Sequence, residues 1–333
     1  MTTYALAQHF WRDSEVITIS SYDNQLIGTF PLNFIKRGGL NTWAFVSDIV
    51  HQLVDIVGGG FIRAKNGNPV LLQEAPYAGD FVFVPHSEQY HATDKPLEEL
   101  TIADERASIS FARGPEFFRK NIAPNPDGSQ STRSNSKRST AQQAEFRVAL
   151  IARDFSCLIT DEPYTKCTPC HIIPQSRPDV SVDPMTDSSP LGSLIPATIH
   201  LLLSRMATFL SHQIYRDILS IRYPPPMFAA SAGLLLQDDI HHAFDRLELS
   251  FYFQDGVYYV HFFVLRTRTA RELHGKALRS DRFRGEEEDR PEPRFLKWHY
   301  NQCIKARIRG FAAGMELPNT SSEAVIMSTN ASP

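Results

Sequence analysis

Several things are scarce in this sequence. Four cysteines in 333 residues are too few for a disulfide-stapled scaffold. No run approaches the roughly 20 uncharged apolar residues that a membrane-spanning helix needs. The most apolar stretch, 195–219, is broken by Arg205, His212, Arg216 and Asp217. Residues 1–15 have no apolar run before Arg12, Asp13 and Glu15, so they do not read as a secretory signal. Charge of one sign is also missing, since the formal net charge is −3. Core-forming material is not scarce: 42% of residues are hydrophobic, which excludes wholesale disorder. The expectation is an intracellular protein of the nucleus or cytoplasm, not secreted and without a membrane partner.

The charge that is present is unevenly placed. Residues 1–130 carry 10 basic and 15 acidic side chains, whereas 266–309 carry 13 basic and 7 acidic. The second segment can attract a polyanion although the chain as a whole is slightly acidic. Its Phe283, Phe295, Trp298 and Tyr300 suit either base stacking or the core face of a closing helix.

Composition divides the chain further. In residues 1–123, short alternating runs at 16–19, 26–30, 70–72 and 81–84 are separated by Asp23-Asn24, Gly58-Gly59-Gly60, Asn66-Gly67-Asn68 and Gly79-Asp80. That pattern predicts strands and hairpins. Trp43, Val46, Ile49, Val50, Leu53 and Val54 predict one helix among them. This is a β-rich N-terminal domain without clustered chemistry, and its acidity suits a protein partner better than a nucleic acid. Residues 124–143 are polar and Ser/Asn-rich and read as a flexible linker. Residues 317–333 read as a disordered tail. The fold expected is therefore α+β, with the informative domain at 144–316.

Within that domain the spacing predicts a helix at 145–153 and a strand at 157–160 running into the turn Asp161-Glu162-Pro163. A second strand at 167–173 closes a hairpin and stops at Pro174. Residues 175–231 are an insertion containing the helical stretch 195–219. A short apolar run at 233–236 precedes a helix at 238–247 with an Asp N-cap. A hairpin then turns at Asp255-Gly256. His261, on its second strand, reads as an outward-facing polar residue. On the 238–247 helix, His241 and Asp245 are four residues apart and share a face. They are either a surface pair or two ligands of one divalent ion.

Taken together, Arg153-Asp154, Cys157, Ile159-Thr160, Cys167, His171-Ile172-Ile173-Pro174, Gly233 to Leu236 and His241-His242-Ala243-Phe244-Asp245 resemble the ββα-metal module of HNH nucleases. The likeness is greatest to the branch common in fungal proteins and covers residues 145–264. It implies that His171 is the general base that activates water toward a phosphodiester. It also implies that His241 and Asp245, with Cys170, hold one divalent ion (magnesium, manganese or zinc). Nucleic acid, DNA foremost, is the implied partner. Arg246, Arg266 and Arg268 would contact its phosphates, with His242 and Ser231 supporting the site. Two positions depart from the family pattern. Cys170 stands where Asp or His is common, and the Asn that orients the base falls at Ala232. The function implied is a metal-dependent endonuclease; the alternative is a degenerate HNH scaffold that binds nucleic acid or protein. Cys157, Cys167, Cys170 and His171 could instead hold a structural zinc, or the cysteines could be small buried hydrophobes.

Overall fold

A computed structural model describes residues 11, 14–56, 58–65, 67–86, 110–111, 141–173, 214–220 and 227–309. Residues 124–140, most of the expected linker, Pro174, most of the insertion and the tail lie outside the described residues.

The first half builds a four-stranded sheet of order β2-β1-β5-β4 from β1 (Val16–Ser20), β2 (Leu26–Pro31), β4 (Gly60–Ala64) and β5 (Gly79–Pro85). A pair of two-residue strands, β3 (Val54–Asp55) and β6 (Ser110–Phe111), stands beside it. The period-two pattern of β1 places Ile17 and Ile19 inward, both fully buried. Two helices follow β2, α1 (Leu32–Arg37) and α2 (Trp43–Leu53). Thr42 caps α2 by accepting from the Phe45 N–H, and Trp43, Val46, Ile49, Val50 and Leu53 form its buried face. The run 70–72 is not a strand. Val70 only returns its N–H to the Ile62 carbonyl, and Leu71 and Leu72 are exposed. The antiparallel partner of β5 is instead β4, hidden from a sequence reading by the glycines at its start.

The second half runs α3 (Ala141–Asp154), β7 (Cys167–His171), β8 (Gly233–Gln237), α4 (Asp238–Asp245), β9 (Leu249–Gln254), β10 (Val257–Phe262), α5 (Arg268–Leu273), β11 (Ala277–Arg279) and α6 (Pro293–Arg307). A short helical segment at 214–219 represents the insertion. The architecture is α+β. The β9–β10 hairpin turns where expected, with φ of +50° at Asp255 and +80° at Gly256, the twist that two-residue hairpins favour. Residues 157–160 do not form a strand. Cys157 N–H donates to Glu162 O and Leu158 N–H to Leu235 O, which makes a knuckle, and β7 pairs with the later β8. Helix α4 has no Asp cap either: its N-cap is Gln237 without a side-chain bond. Asp238 and Asp239 lie inside the first turn, where carboxylates favour the helix dipole.

One cluster of buried apolar side chains extends from Trp11 to Ile308, joining the first-half sheet and helices to β9, β10 and α6. Hydrogen bonds cross the same boundary: Thr29 N–H to Ile308 O (3.1 Å) and Trp11 Nε1 to Phe263 O (3.0 Å). His261 faces inward, not outward. It is fully buried, donating from Nε2 to Gly38 O and accepting the Tyr300 hydroxyl at Nδ1, both at 2.8 Å. The first-half helices cover the face of β10 that would otherwise meet water. Phe283, Phe295, Trp298 and Tyr300 are core residues. No described helix is long and apolar enough to cross a membrane.

Candidate metal centre

Three donor atoms converge where α4 packs against β7. The α-helical period sets His241 above Asp245, with Nε2 and Oδ2 3.5 Å apart. Ile240, Ala243 and Phe244 anchor the opposite face of α4 in the core. Phe244 is stacked at 3.6 Å on His299, whose Nε2 donates to the Phe244 carbonyl. On β7, Cys170 Sγ lies 4.0 Å from Asp245 Oδ1. All three donors lie within 4.8 Å of one another, and they are the one such group among the described residues. Cys170 is buried, while the His241 and Asp245 side chains are 16% and 17% exposed, which leaves the centre an open side. Zinc bonded at about 2.0–2.3 Å in a tetrahedron sets its ligands about 3.3–3.8 Å apart, close to the separations here. A thiolate, an imidazole and a carboxylate suit zinc or another borderline ion better than magnesium, which prefers oxygen.

His171 ends β7 next to this group, opposite Gly233 of β8. Its ring lies flat on Phe146 of α3, with centroids 4.2 Å apart and planes 6° from parallel, and Phe228 meets it edge-on at 5.6 Å. The stack exists because residue 233 has no side chain. A Cβ there would overlap the Phe146 ring and come within 3.0 Å of Cys170 O. Burial pushes the His171 imidazolium down to about 4, against the opposing pull of the Asp245 carboxylate and the Met227 main chain; the neighbouring His241 adds to the depression. The ring is therefore neutral near pH 7. Its Nδ1 is buried without a hydrogen-bond partner. Where the family pattern places an orienting Asn, Ala232 supplies only its carbonyl, which accepts from Ile172 N–H at 3.0 Å. Ser231 uses its carbonyl on Glu292 N–H, and its hydroxyl is not the partner of His171 Nδ1.

Arg153 fastens this assembly from behind. It engages both oxygens of Asp154 at 2.7 Å and donates to the carbonyls of Ala230, Gly233 and Asp289 at 2.7–3.0 Å. The Arg-Asp pair thus braces the turn that leads into β8. The four-ligand set of Cys157, Cys167, Cys170 and His171 is not brought together. Cys157 Sγ accepts from Gln237 N–H, and Cys167 points to the Glu162 and Pro163 carbonyls, its thiol pushed up to about 11 by burial. Cys170 faces Asp245 from the other side of β7. None of the four cysteines forms a disulfide, and all are buried.

His242 stands beside His241, ring centroids 5.2 Å apart, its pKa lowered by burial and then by the charge of His241. Arg246 and Arg266 both pair with Glu248, whereas Arg268 pairs with Glu272 on α5. Phe146, Phe228, Arg153 and Glu248 shape the site without having been singled out for it from the sequence. Only the Arg-Asp dipeptide carried a signal, through the family pattern; a phenylalanine on an apolar helix face looks like any core residue.

Residues 157–252 match the HNH endonuclease family. That span holds Cys170, His171, Ser231, His241, His242, Asp245, Arg246 and Glu248, and it leaves Phe146, Arg153 and Arg266 outside. No curated protein and no solved structure matches the chain.

Proposed function

We propose, from the premise that residues 157–252 are an HNH endonuclease domain, that this chain hydrolyses phosphodiester bonds of nucleic acid, DNA foremost, at the Cys170/His241/Asp245 centre. The observation that carries the reading is the convergence of those three donors beside a neutral imidazole whose Nδ1 has no partner. Cys170, His241 and Asp245 would hold one divalent ion, zinc ahead of manganese or magnesium by the softness of the thiolate. A bound ion would supply Lewis-acid stabilisation of charge on the phosphate and the leaving oxygen. His171 would take the proton of the attacking water, held in place by Phe146 and Phe228. Its lowered pKa keeps the lone pair available at neutral pH at some cost in basicity. Arg246 and Arg266 would meet the phosphate backbone, with His242 beside the centre.

Plasmid nicking by the purified chain with magnesium, manganese or zinc tests this. His171→Ala is expected to lose about 10²–10⁴-fold in rate. Cleavage that survives the substitution removes His171 from the role of base. No cleavage by either form with any of the three ions would favour a binding protein on an HNH scaffold, a reading that Ala232, in place of the orienting Asn, also supports.

A further inference from the structure

His171 has no hydrogen-bond partner at Nδ1. Across the ladder it faces Gly233, and the residue before that is Ala232, so neither offers a polar side chain. The ring's polar tie runs to the main chain of Met227. Its plane is set by two other rings. Phe146 lies parallel to it, with centroids 4.2 Å apart, while Phe228 stands edge-on to both, 5.6 Å from His171 and 6.2 Å from Phe146. An imidazole between a face and an edge cannot tilt without giving up one of the two contacts.

These rings stand apart from the main core. Phe146 and Leu150 of α3 form a small cluster with Ala230, against which Ala149 and Phe228 pack. Phe146, Leu150 and Arg153 recur at helical spacing and share a face. Arg153 donates to the carbonyls of Ala230 and Gly233 at 2.7 and 3.0 Å. The helix is thereby tied to the start of β8, and two turns earlier its Phe146 falls on the imidazole. The ligand-bearing helix has a different support, because Ile240, Ala243 and Phe244 of α4 belong to the main cluster. Base and ligands therefore rest on separate packing units. Helix α3 ends at Asp154, before the span 157–252 that matches the family.

We propose that Phe146 is a positioning residue for the general base, and that α3 completes the catalytic unit from outside the family-matched span by fixing the plane of the His171 ring. This rests on the nuclease reading for its consequence.

Nuclear magnetic resonance of the metal-free full chain with isotope-labelled histidine rings reads the stack. Ring current shields a proton held over an aromatic face. The carbon-bound ring protons of His171, assigned by their loss in His171→Ala, are expected upfield and should move downfield in Phe146→Leu. Plasmid nicking reads the consequence. Leucine keeps the apolar fill but has no flat face, so kcat is expected to fall about 10–10²-fold. KM and zinc affinity should be unchanged, because a group that acts only on the base is felt only in the transition state. An unmoved His171 signal, an unchanged kcat, or a loss that lies in KM or zinc affinity overturns the proposal. If Phe146→Leu does not fold, Phe146→Met decides by the same readings, since a flexible thioether fills the gap and is equally without a flat face. A native chain that nicks nothing with any of the three ions overturns the nuclease reading and the role of Phe146 with it. A native chain that nicks no faster than Phe146→Leu overturns the role alone.

Discussion

At position 170 a thiol stands beside a carboxylate and an imidazole, and in the proposed centre that sulfur would decide which ion is preferred. Cys170→Asp would exchange the soft donor for a hard one of similar reach. We expect zinc affinity to fall by at least about tenfold and the preference to move toward magnesium or manganese, as read by competition with a chromophoric chelator. If Cys170 only fills space in the core, the substitution will lower the melting temperature and leave metal affinity unchanged. The pairing of His241 with Asp245 was legible in the sequence because a helical period fixes which residues share a face. The arrival of Cys170 at the same point depends on how β7 lies against α4, a long-range relation that residue spacing does not contain. It was reached through the family pattern alone. The pairing of Arg246 and Arg266 with Glu248 was invisible for the same reason, since Arg266 reaches the Glu248 carboxylate only once β10 has returned beside the end of α4.

Among elements, the orientation of His171 is a matter of how α3 lies over the β7–β8 pair. Gly233 is in an extended conformation, with φ −142° and ψ 169°, which any residue can adopt. Its role is therefore space and not backbone freedom. A methyl group at 233 would displace Phe146 and take the His171 ring with it. Gly233→Ala is expected to cost about 1–3 kcal/mol in a denaturant melt, the usual range for overpacking. Its nicking rate should fall more than its stability accounts for. Phe146→Leu in the same chain would relieve the overlap, so the double variant should be more stable than the sum of the two single effects predicts. An additive result would mean that the glycine matters for a contact other than the ring. The apolar run 157–160 was misread as a strand because a four-residue run has no period long enough to separate a strand from a buried turn. The N–H groups of Cys157 and Leu158 are satisfied by Glu162 and Leu235 instead of a ladder. The strand at Gly233 to Gln237 was likewise not assignable from its Leu-Leu-Leu run, being buried on both faces under α3 and α4.

The molecule as a whole is held by contacts that composition does not announce. The first-half helices and the last helix bury side chains in one cluster, and the histidines among them carry a testable consequence. His274 donates from Nε2 to Phe34 O at 2.9 Å and accepts Phe262 N–H at Nδ1 at 3.0 Å. A backbone N–H cannot accept a hydrogen bond, so a proton on Nδ1 would face another donor; the geometry requires neutral imidazole. His261 and His299 use the same tautomer, each donating from Nε2 to a carbonyl and accepting a hydroxyl at Nδ1. Burial accordingly pushes His274 to about 4 and His261 and His299 to about 3. In the unfolded chain each returns to about 6.5. Below that value the unfolded state binds protons that the folded state does not, so stability is full above about pH 6.5 and falls as the pH drops toward 4. Each ring contributes a slope of about 1.4 kcal/mol per pH unit in that window. The lowered carboxyl of Glu248 adds to the loss only below its unfolded value of about 4.3. Urea melts of the full chain at intervals between pH 7 and 4.5 should therefore show a steep decline. In His274→Asn, whose amide oxygen can still accept Phe262 N–H, the decline should be shallower by about 1.4 kcal/mol per pH unit, whatever the starting stability. Parallel curves for the two chains would mean that His274 is charged in the folded state, and the hydrogen-bond assignment at the junction would be wrong.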